Sequence, residues 1–367
     1  MAKRSKHAVL SFFTGAGFLD AGFHDEGFEV VFANEFSAEF ARGYAHAQTA
    51  MGHSPPCHGM HVGSIEDLAV EPGLGALQSI LSTERRRGAT VGFIGGPPCP
   101  DFSVGGKNRG ATGDNGRLTR VYFDLITAVQ PDWFVFENVR GLFRTHRHRA
   151  FFEEMRTQVQ QAGYAVAVRL INSIEYGAAQ DRDRIIMIGL KGGSPAAKGE
   201  LQLDWDREVS YPRSILTSVP WPGTSSFGAP CRRPPAVPEE LTVLHWFQRN
   251  DVGAHPNASH AFRPRQGLKR FLAVDEGDDS RKSFKRLHRH RFSPTACYGN
   301  NEVHLHPSEP RRISVAEALA IQSLPPSFEL PSDMTLSDMF KTVGNGVPYL
   351  AARGIARTVK QTLAVGI

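Results

Sequence analysis

The chain has 367 residues, of which 41% are hydrophobic and 22% charged, a composition typical of a globular protein and not of a disordered or fibrous one. Its formal net charge of +5 is compatible with a polyanionic partner. The four cysteines are scattered without paired spacing, which argues against a disulfide framework. No apolar run reaches membrane-spanning length, and the start MAKRSKHAVLSFF is too briefly apolar for a signal peptide. We therefore expect a soluble cytoplasmic protein without membrane contact.

The first predicted element is a strand over residues 7–13, which ends in the turn Thr14-Gly15-Ala16-Gly17. A helical pattern begins at Leu19, and strand, glycine turn and helix in this order open nucleotide-binding folds. Asp20 stands where G-x-G-x-x-G has its third glycine. The amides of the turn therefore suit a carboxylate better than a diphosphate.

A second strand is predicted over residues 28–33, and Glu35 follows it. An acidic residue at the end of the second strand holds the hydroxyls of a ribose in such folds, so we predict that role for Glu35. A short third strand and its end are predicted at residues 61–65.

The stretch HSPPCHGMH concentrates side chains that can bind metals. Its spacing fits no standard zinc pattern, so we predict a polar loop and no metal site. The side chains concerned are His53, Cys57, His58 and His61.

The chain is organised around GGPPCPDFS at residues 95–103, which follows the apolar strand 91–94. Its glycines and prolines end the strand and fix the turn, so Cys99 is presented at a strand's carboxyl end, where open α/β sheets bind ligands. A thiolate there can act as a nucleophile, although a small buried cysteine in a tight turn fits the residue equally well. The glycine-rich stretch that follows is either a loop that closes over a substrate or a solvated loop. Its cations are Lys107, Arg109 and Arg117.

Another buried strand, at residues 133–136, leads directly into Glu137. If this strand pairs with the one before Cys99, the two side chains share one pocket, because neighbouring strands lie about 4.8 Å apart. Further on, Arg182 and Arg184 enter a predicted strand at alternate positions and therefore point the same way. Such a pair suits an anionic or carbonyl-bearing substrate, or forms surface salt bridges with neighbouring aspartates.

The composition changes near residue 192, where prolines become frequent and predict a loop-rich region. A strongly basic run covers residues 281–291 and is either a phosphate-binding surface or a solvated face. Ser314 and Glu317 form a capping box before a helix, and a final helix is predicted over 349–363. The cations of the run that we predict to contact DNA are Lys285, Arg286, Arg289 and Arg291.

Four motifs, GGPPCPDFS, FENV, QDRDR and GNGVP, follow one another in the order found in DNA (cytosine-5)-methyltransferases, and the chain resembles this family from Phe12 to its last helix. The resemblance implies an α/β, Rossmann-like S-adenosylmethionine-dependent methyltransferase domain with a smaller, loop-rich target-recognition domain. The catalytic domain would be residues 1–191, completed by 340–367, and the small domain residues 192–339. The implied cofactor is S-adenosyl-L-methionine, and the implied partner is double-stranded DNA.

The resemblance also assigns roles to residues. Cys99 would be the nucleophile, Glu137 would contact the cytosine ring, and Arg182 and Arg184 would support that ring. The chain departs from the family pattern at three positions of the cofactor region, Ser11, Phe18 and Ser64. The residues implied in cofactor binding are Phe13, Thr14, Gly15, Gly17, Glu35, Ile65, Pro98, Leu118, Asn345 and Val347.

The resemblance implies methylation of carbon 5 of a flipped-out cytosine in a specific DNA sequence, through a covalent Cys99 adduct. We expect a stand-alone, nucleoid-associated monomer of a prokaryotic restriction-modification system, with a cognate endonuclease acting separately. Two alternatives are an RNA methyltransferase acting on tRNA and a catalytically inactive DNA-binding regulator on the same fold. Intact Cys99, Glu137 and Arg184 disfavour the inactive regulator.

Overall fold

The computed structural model describes residues 5–98, 114–143, 146–192, 200–264, 267–296, 298 and 302–365. Within them a sheet of seven strands has the order β3-β2-β1-β4-β5-β7-β6. The strands are β1 (His7–Phe12), β2 (Glu29–Glu35), β3 (Met60–Val62), β4 (Thr90–Gly95), β5 (Trp133–Val139), β6 (Tyr164–Asn172) and β7 (Asp183–Lys191).

The helices between these strands are α1 (Phe18–Asp25), α2 (Ala38–Ala50), α3 (Gly73–Arg86), α4 (Asp114–Val129) and α5 (His146–Gln161). The helices that follow the sheet are α6 (Ile215–Ser218), α7 (Val243–Arg249), α8 (Leu268–Leu272), α9 (Val315–Ile321), α10 (Leu336–Asn345) and α11 (Tyr349–Val365). Short 3₁₀ helices lie at Ile65–Leu68, Arg140–Phe143, Ser173–Tyr176, Trp205–Glu208 and Glu239–Leu241.

Strands β1 to β5 run parallel, whereas β7 is antiparallel to both β5 and β6. The chain builds outward from β1 through β2 to β3 and then crosses back to β4 on the other side of β1. This reversal between β1 and β4 is the topological switch point of doubly wound sheets. The predicted α/β, Rossmann-like fold class is confirmed.

The sheet is buried on both faces, because its inner strands carry apolar side chains at successive positions. One face packs against α3, α4 and α5, and the other packs against α1 and α11. The first face includes Leu10, Phe12, Phe93, Phe134, Phe136, Leu77, Tyr122 and Phe152. The second includes Val9, Ile94, Trp133, Val135, Phe23, Ile355 and Val359.

The carboxyl half contributes a further apolar cluster, built mainly from α7, α9 and α10. This cluster also takes in Phe18 of α1 and Phe40 of α2, so it packs directly on the amino-terminal part of the chain. The predicted domain boundary at residue 192 stays a prediction. Among the described residues, no helix combines the length and apolar character that a bilayer crossing needs.

The predicted capping box is present at the start of α9. The Glu317 backbone N–H donates to Ser314 Oγ over 3.2 Å, and the Ser314 N–H donates to Glu317 Oε2 over 2.7 Å. Both residues are buried, so water cannot replace these bonds.

We expect Ser314→Ala to lower the free energy of unfolding by about 1 kcal/mol, because it leaves a buried helix N–H without its acceptor. Urea denaturation followed by circular dichroism measures the change. The matched control is Ser332→Ala, at an exposed serine, which should leave the midpoint where it is. Equal midpoints for Ser314→Ala and wild type would contradict the capping role.

Candidate active site at the carboxyl edge of the sheet

The parallel strands β1, β2, β4 and β5 end at one edge of the sheet. Phe12 and Gly95, the last residues of β1 and β4, pair with each other, so the loops after these two strands begin side by side. Gly95 also pairs with Phe136, and β5 continues beyond this residue to Val139. The edge therefore gathers the residues that the sequence singles out, next to the switch point.

The loop after β1 turns sharply, because Phe13, Gly15 and Gly17 all have left-handed φ values of 57°, 56° and 84°. Left-handed backbone is rare for a residue with a side chain and marks a position held by its surroundings. The Thr14 N–H donates to the Asn34 carbonyl over 3.2 Å, which ties the loop to the end of β2. The loop is thus a fixed cradle of backbone amides.

Glu35 closes this cradle. Its Oε2 accepts the Gly15 N–H over 2.8 Å, and its Oε1 accepts the Ser37 N–H over 2.9 Å. Burial raises the pKa of the Glu35 carboxyl, and these amide bonds partly oppose the rise. Each oxygen keeps acceptor capacity beyond its one amide bond. The Glu35 carboxylate, which is predicted to bind a ribose, therefore has a fixed orientation and can accept hydrogen bonds from hydroxyl groups.

Phe36, directly after Glu35, was not singled out from the sequence. Its side chain is 78% exposed, the largest exposure among the exposed large hydrophobic residues of the described chain. Val62, the β3 partner of Glu35, is 51% exposed at the same edge. An aromatic ring and a branched aliphatic side chain held in solvent beside the cradle form an apolar surface suited to a planar ring. The signal available in the sequence was an aromatic residue directly after the acidic residue.

Glu137 and Arg184 form a buried ion pair, with Arg184 Nε 2.6 Å from Glu137 Oε1. The two residues are 7% and 9% exposed. Burial raises the pKa of the Glu137 carboxyl, while the charges of Arg184 and then Arg182 act against the rise. The pair joins β5 to β7, in which Arg184 lies opposite Val139. A carboxyl held in this way can exchange a proton at a defined position.

Cys99 lies outside the described residues, as do Lys107 and Arg109, but the residues directly before Cys99 are described. The Asn138 Nδ2 donates to the Pro97 carbonyl over 3.4 Å. A Cβ on Gly96 would lie only 2.7 Å from Glu137 Oε2, so the loop runs directly against the Glu137 carboxylate. The parallel pairing of β4 with β5 that the sequence argument required is present.

Arg182 and Arg184 contact different groups. Arg182 is 1% exposed, and its guanidinium donates to the carbonyls of Ala296 over 2.9 Å and of Gly344 over 2.8 Å. It therefore ties the strand region to two segments of the carboxyl half. Toward Glu137 it acts through its charge, whereas Arg184 makes the direct contact.

The GNGVP motif returns to this edge, because Gly346 packs against Phe18 at the start of α1. A Cβ on Gly346 would lie 2.1 Å from the Phe18 ring, so the contact requires glycine. Phe18, the departure from the family's usual glycine, is itself buried. Asn345 is exposed at the end of α10, and Val347 is buried in the core.

The remaining predicted cofactor residues lie around the same loops. Ile65 is buried at the start of the 3₁₀ helix that Ser64 caps. Leu118 is half-buried on α4, which a 2.9 Å ion pair from Arg117 to Glu66 ties to that 3₁₀ helix. Pro98 is exposed at the last described position before Cys99.

The four cations predicted to contact DNA differ in their surroundings. Lys285 and Arg291 are half-buried, and the Arg291 guanidinium lies over the Phe292 ring. Arg289 donates from Nε and Nη2 to the buried Glu276 carboxylate over 2.8 and 2.7 Å. The prediction for Arg286 is wrong, because its guanidinium is buried and donates to the backbone carbonyls of Val274 and Glu309.

Asp20 occupies the third glycine position, and the structure places it under the glycine loop. It is 1% exposed and accepts a 2.8 Å hydrogen bond from the Ser11 hydroxyl. Burial raises the pKa of Asp20 to about 7, against smaller lowering effects of hydrogen bonds from Ser11 and Tyr44. The Asp20 carboxyl is therefore hydrogen-bonded directly to Ser11, which is another departure from the family pattern.

The C-5 cytosine-specific DNA methylase family model matches residues 7–361. The chain is 51% identical over 361 residues to Type II methyltransferase M.NmeDI of Neisseria meningitidis serogroup C, covering 98% of this chain and 85% of that protein. It is 26% identical over 364 residues to Type II methyltransferase M.FnuDI of Fusobacterium nucleatum, covering 97% and 94%.

Two solved structures share the fold. One is an E. coli prophage-encoded protein described as a DNA modification methyltransferase, with a TM-score of 0.66, 20% identity, and 98% and 99% of the two chains covered. The other is the S. pombe Dnmt2 methyltransferase, with a TM-score of 0.61, 12% identity, and 97% and 99% covered.

Asp20 predicts a specific pH dependence of stability. The folded protein keeps a proton on Asp20 up to about pH 7, whereas the unfolded chain releases it near the ordinary value of 3.8. Stability therefore falls as pH rises through this window. Relative to wild type, Asp20→Asn should gain about 3 kcal/mol between pH 5 and pH 8. Urea unfolding at a series of pH values measures this difference.

The control is Ser11→Ala, which keeps the acid, so stability should still fall as pH rises. The window should lie at higher pH, because the variant loses a hydrogen bond that lowers the pKa of Asp20. An Asp20→Asn variant whose stability relative to wild type is constant from pH 5 to pH 8 would show that Asp20 is already ionised in the folded protein.

Proposed function

Because this chain belongs to the C-5 cytosine-specific DNA methylase family, we propose that it transfers a methyl group from S-adenosylmethionine to carbon 5 of a flipped-out cytosine within a specific DNA sequence, through a covalent Cys99 adduct. The observation that carries the proposal is the buried Glu137–Arg184 pair, against which the loop leading to Cys99 packs. The type II methyltransferases among its relatives support DNA as the substrate.

The described residues fit S-adenosylmethionine as the methyl donor. Gly15 and Gly17 hold the turn before α1 in left-handed backbone, and the start of a helix suits the carboxylate of the donor's methionine part. Glu35 would accept the ribose hydroxyls, since its amide bonds leave acceptor capacity on both oxygens. Bound there, the donor would supply an electrophilic methyl group.

We assign the adenine ring to the surface formed by Phe36 and Val62. Phe36 follows Glu35 without a gap, so a ribose held by Glu35 places its base within reach of the Phe36 ring. Stacking would cover an aromatic side chain that otherwise remains in water. Phe13, Thr14, Ile65, Pro98, Leu118, Asn345 and Val347 would complete the donor site.

Cytosine needs activation because its carbon 5 is a weak nucleophile. The Cys99 thiolate would add to carbon 6, which moves electron density to carbon 5. Carbon 5 would then bond to the donor's methyl group as the methyl–sulfur bond breaks, with its electron pair left on the donor's sulfur. Loss of the proton from carbon 5 and departure of Cys99 then restore the aromatic ring. Cys99 leaves as the thiolate that began the reaction, so it is unchanged after one turnover.

Glu137 would stabilise the charge that builds on the ring as Cys99 adds. Burial favours its protonated form, which can donate a hydrogen bond to a ring nitrogen. Arg184, on the opposite side of the same carboxyl, fixes its orientation and supplies positive charge beside the ring. Arg182 would hold the carboxyl-half segments that border this pocket.

These groups lie at a buried sheet edge, so a base inside a duplex cannot reach them and must be flipped out. We assign phosphate contacts of the carboxyl half to Lys285 and Arg291, with Arg289 held in place by Glu276. We further propose that the protein acts as a monomer associated with the nucleoid, and that a cognate restriction endonuclease acts separately.

We expect the purified chain to transfer tritiated methyl groups to duplex DNA and Cys99→Ser to lose turnover by on the order of 10³-fold or more while keeping DNA affinity. A duplex containing 5-fluorocytosine should trap a covalent adduct at Cys99, because fluorine on carbon 5 cannot leave as a proton does. Mapping of modified cytosines in cells expressing the chain identifies the target sequence.

Cys231→Ser, at a thiol of the carboxyl half that contacts His288, is the control and should remain active. Label in tRNA but not in duplex DNA would identify an RNA methyltransferase. DNA binding without any methyl transfer would identify an inactive regulator. Full turnover in Cys99→Ser would reject the nucleophile assignment.

Phe36→Ala should raise the dissociation constant for S-adenosylmethionine by about 10-fold or more, because stacking of a base on an aromatic ring contributes about 1–3 kcal/mol. Affinity for duplex DNA should stay the same. Calorimetric titration of the donor measures the effect, with Leu272→Ala as the control at another exposed apolar residue. Unchanged donor affinity in Phe36→Ala would place the adenine elsewhere.

A further inference from the structure

The loop between α2 and β3 carries potential metal ligands, close to the last turn of α3. His58 Nε2 lies 2.8 Å from Oε1 of Glu84, a residue of α3. Ligand atoms of Cys57, His58 and Glu84 all lie within 4.8 Å of one another. We propose that these three side chains bind one Zn²⁺ ion, since thiolate, imidazole and carboxylate are the ligands that zinc takes in proteins.

Glu84 is the central ligand of this site. It is fully buried, and a buried carboxylate requires compensating partners. Arg87 donates to its Oε2 from Nε over 2.7 Å and also from Nη2, which leaves Oε1 directed at His58. Hydrogen bonds of this kind orient the carboxylates that bind metals. The Arg87 guanidinium is also 3.5 Å from Glu29, so its charge remains balanced when Glu84 binds the ion.

The charges of the proposed site also balance. A thiol that coordinates zinc loses its proton, so Cys57 and Glu84 together contribute two negative charges to match Zn²⁺. Cys57 is exposed, which gives the ion a route in and opens the fourth tetrahedral position to water.

The position of the site gives the ion a structural role. The His58 N–H donates to the Val31 carbonyl over 2.8 Å, so the loop is already attached to β2. β3, which follows the loop, is an edge strand of three residues and leads into Gly63 and Ser64. An ion shared by the loop and α3 would therefore anchor the amino end of β3, whose other end borders the proposed adenine surface.

A second cluster, His24, Asp25 and His53, suits a metal less well. The rings of His24 and His53 are stacked, with centroids 3.6 Å apart and planes 19° apart, so their in-plane lone pairs cannot converge on one ion. Both nitrogens of His53 are also engaged, by Gln48 Oε1 at 2.7 Å and Asp25 Oδ1 at 3.2 Å. The sequence spacing of HSPPCHGMH gave no zinc pattern because the third ligand of the proposed site comes from α3.

The test is titration of the chelator-treated full chain with Zn²⁺ and Co²⁺ against a chromophoric competitor. We expect one tightly bound ion per chain and, with Co²⁺, a thiolate-to-metal charge-transfer band. Cys57→Ser should abolish the band and weaken binding by at least about 100-fold, since loss of even an indirect partner costs about 10–100-fold. His58→Gln should weaken binding but keep the band.

Cys231→Ser and His61→Gln are matched controls, at another thiol and at an imidazole that faces Asp67, and both should bind as wild type does. Absence of tight binding would overturn the proposal. So would a band that persists in Cys57→Ser, or binding that is lost in His53→Gln. None of these readouts involves methyl transfer, so the site is tested independently of the proposed reaction.

Discussion

The ion pair between Glu137 and Arg184 is the constraint on which the rest of the site depends. Both side chains are nearly buried, and breaking such a pair by removing one partner typically costs about 3–5 kcal/mol because the other charge is left in the interior. The pair also links a parallel strand, β5, to the antiparallel strand β7. The mixed sheet is therefore what brings an arginine from a later segment to the end of a central strand, where the loop after β4 packs on the same carboxylate.

The same edge holds a second buried carboxylate, Glu35, with a different kind of partner. Backbone amides fix Glu35, whereas a guanidinium fixes Glu137. Amide dipoles orient a carboxylate without neutralising it, so Glu35 remains an acceptor for hydroxyl groups. Burial favours the protonated form of Glu137, whereas the neighbouring arginine charge favours the ionised form. Small changes in the surroundings of Glu137 therefore change its protonation state. We therefore propose that Glu35 binds hydroxyl groups and that Glu137 exchanges protons, because their partners differ.

Much of this edge was predictable because local signals specify it. Apolar runs predicted β4 and β5, and the Ser314–Glu317 capping box depends on residues three apart. The signals failed where the outcome depends on distant partners. Arg286 and Lys285 are neighbours in a basic run, yet only Arg286 points inward, to carbonyls that lie up to 23 residues away. Phe36 was missed for the opposite reason, since exposure of an aromatic residue cannot be read from its own position.

Arg286 also explains how a proline-rich region with few regular elements keeps one conformation. Its guanidinium donates to the carbonyls of Val274 and Glu309 and lies 4.1 Å from the centre of the Phe227 ring. Burial lowers its pKa to about 10, which leaves it charged at neutral pH. Buried carbonyls outside helices and sheets need donors of this kind. The buried Arg286 guanidinium thereby holds the turns that present neighbouring residues of the basic run at the surface. A surface that is ordered before binding loses less conformational entropy when a partner docks.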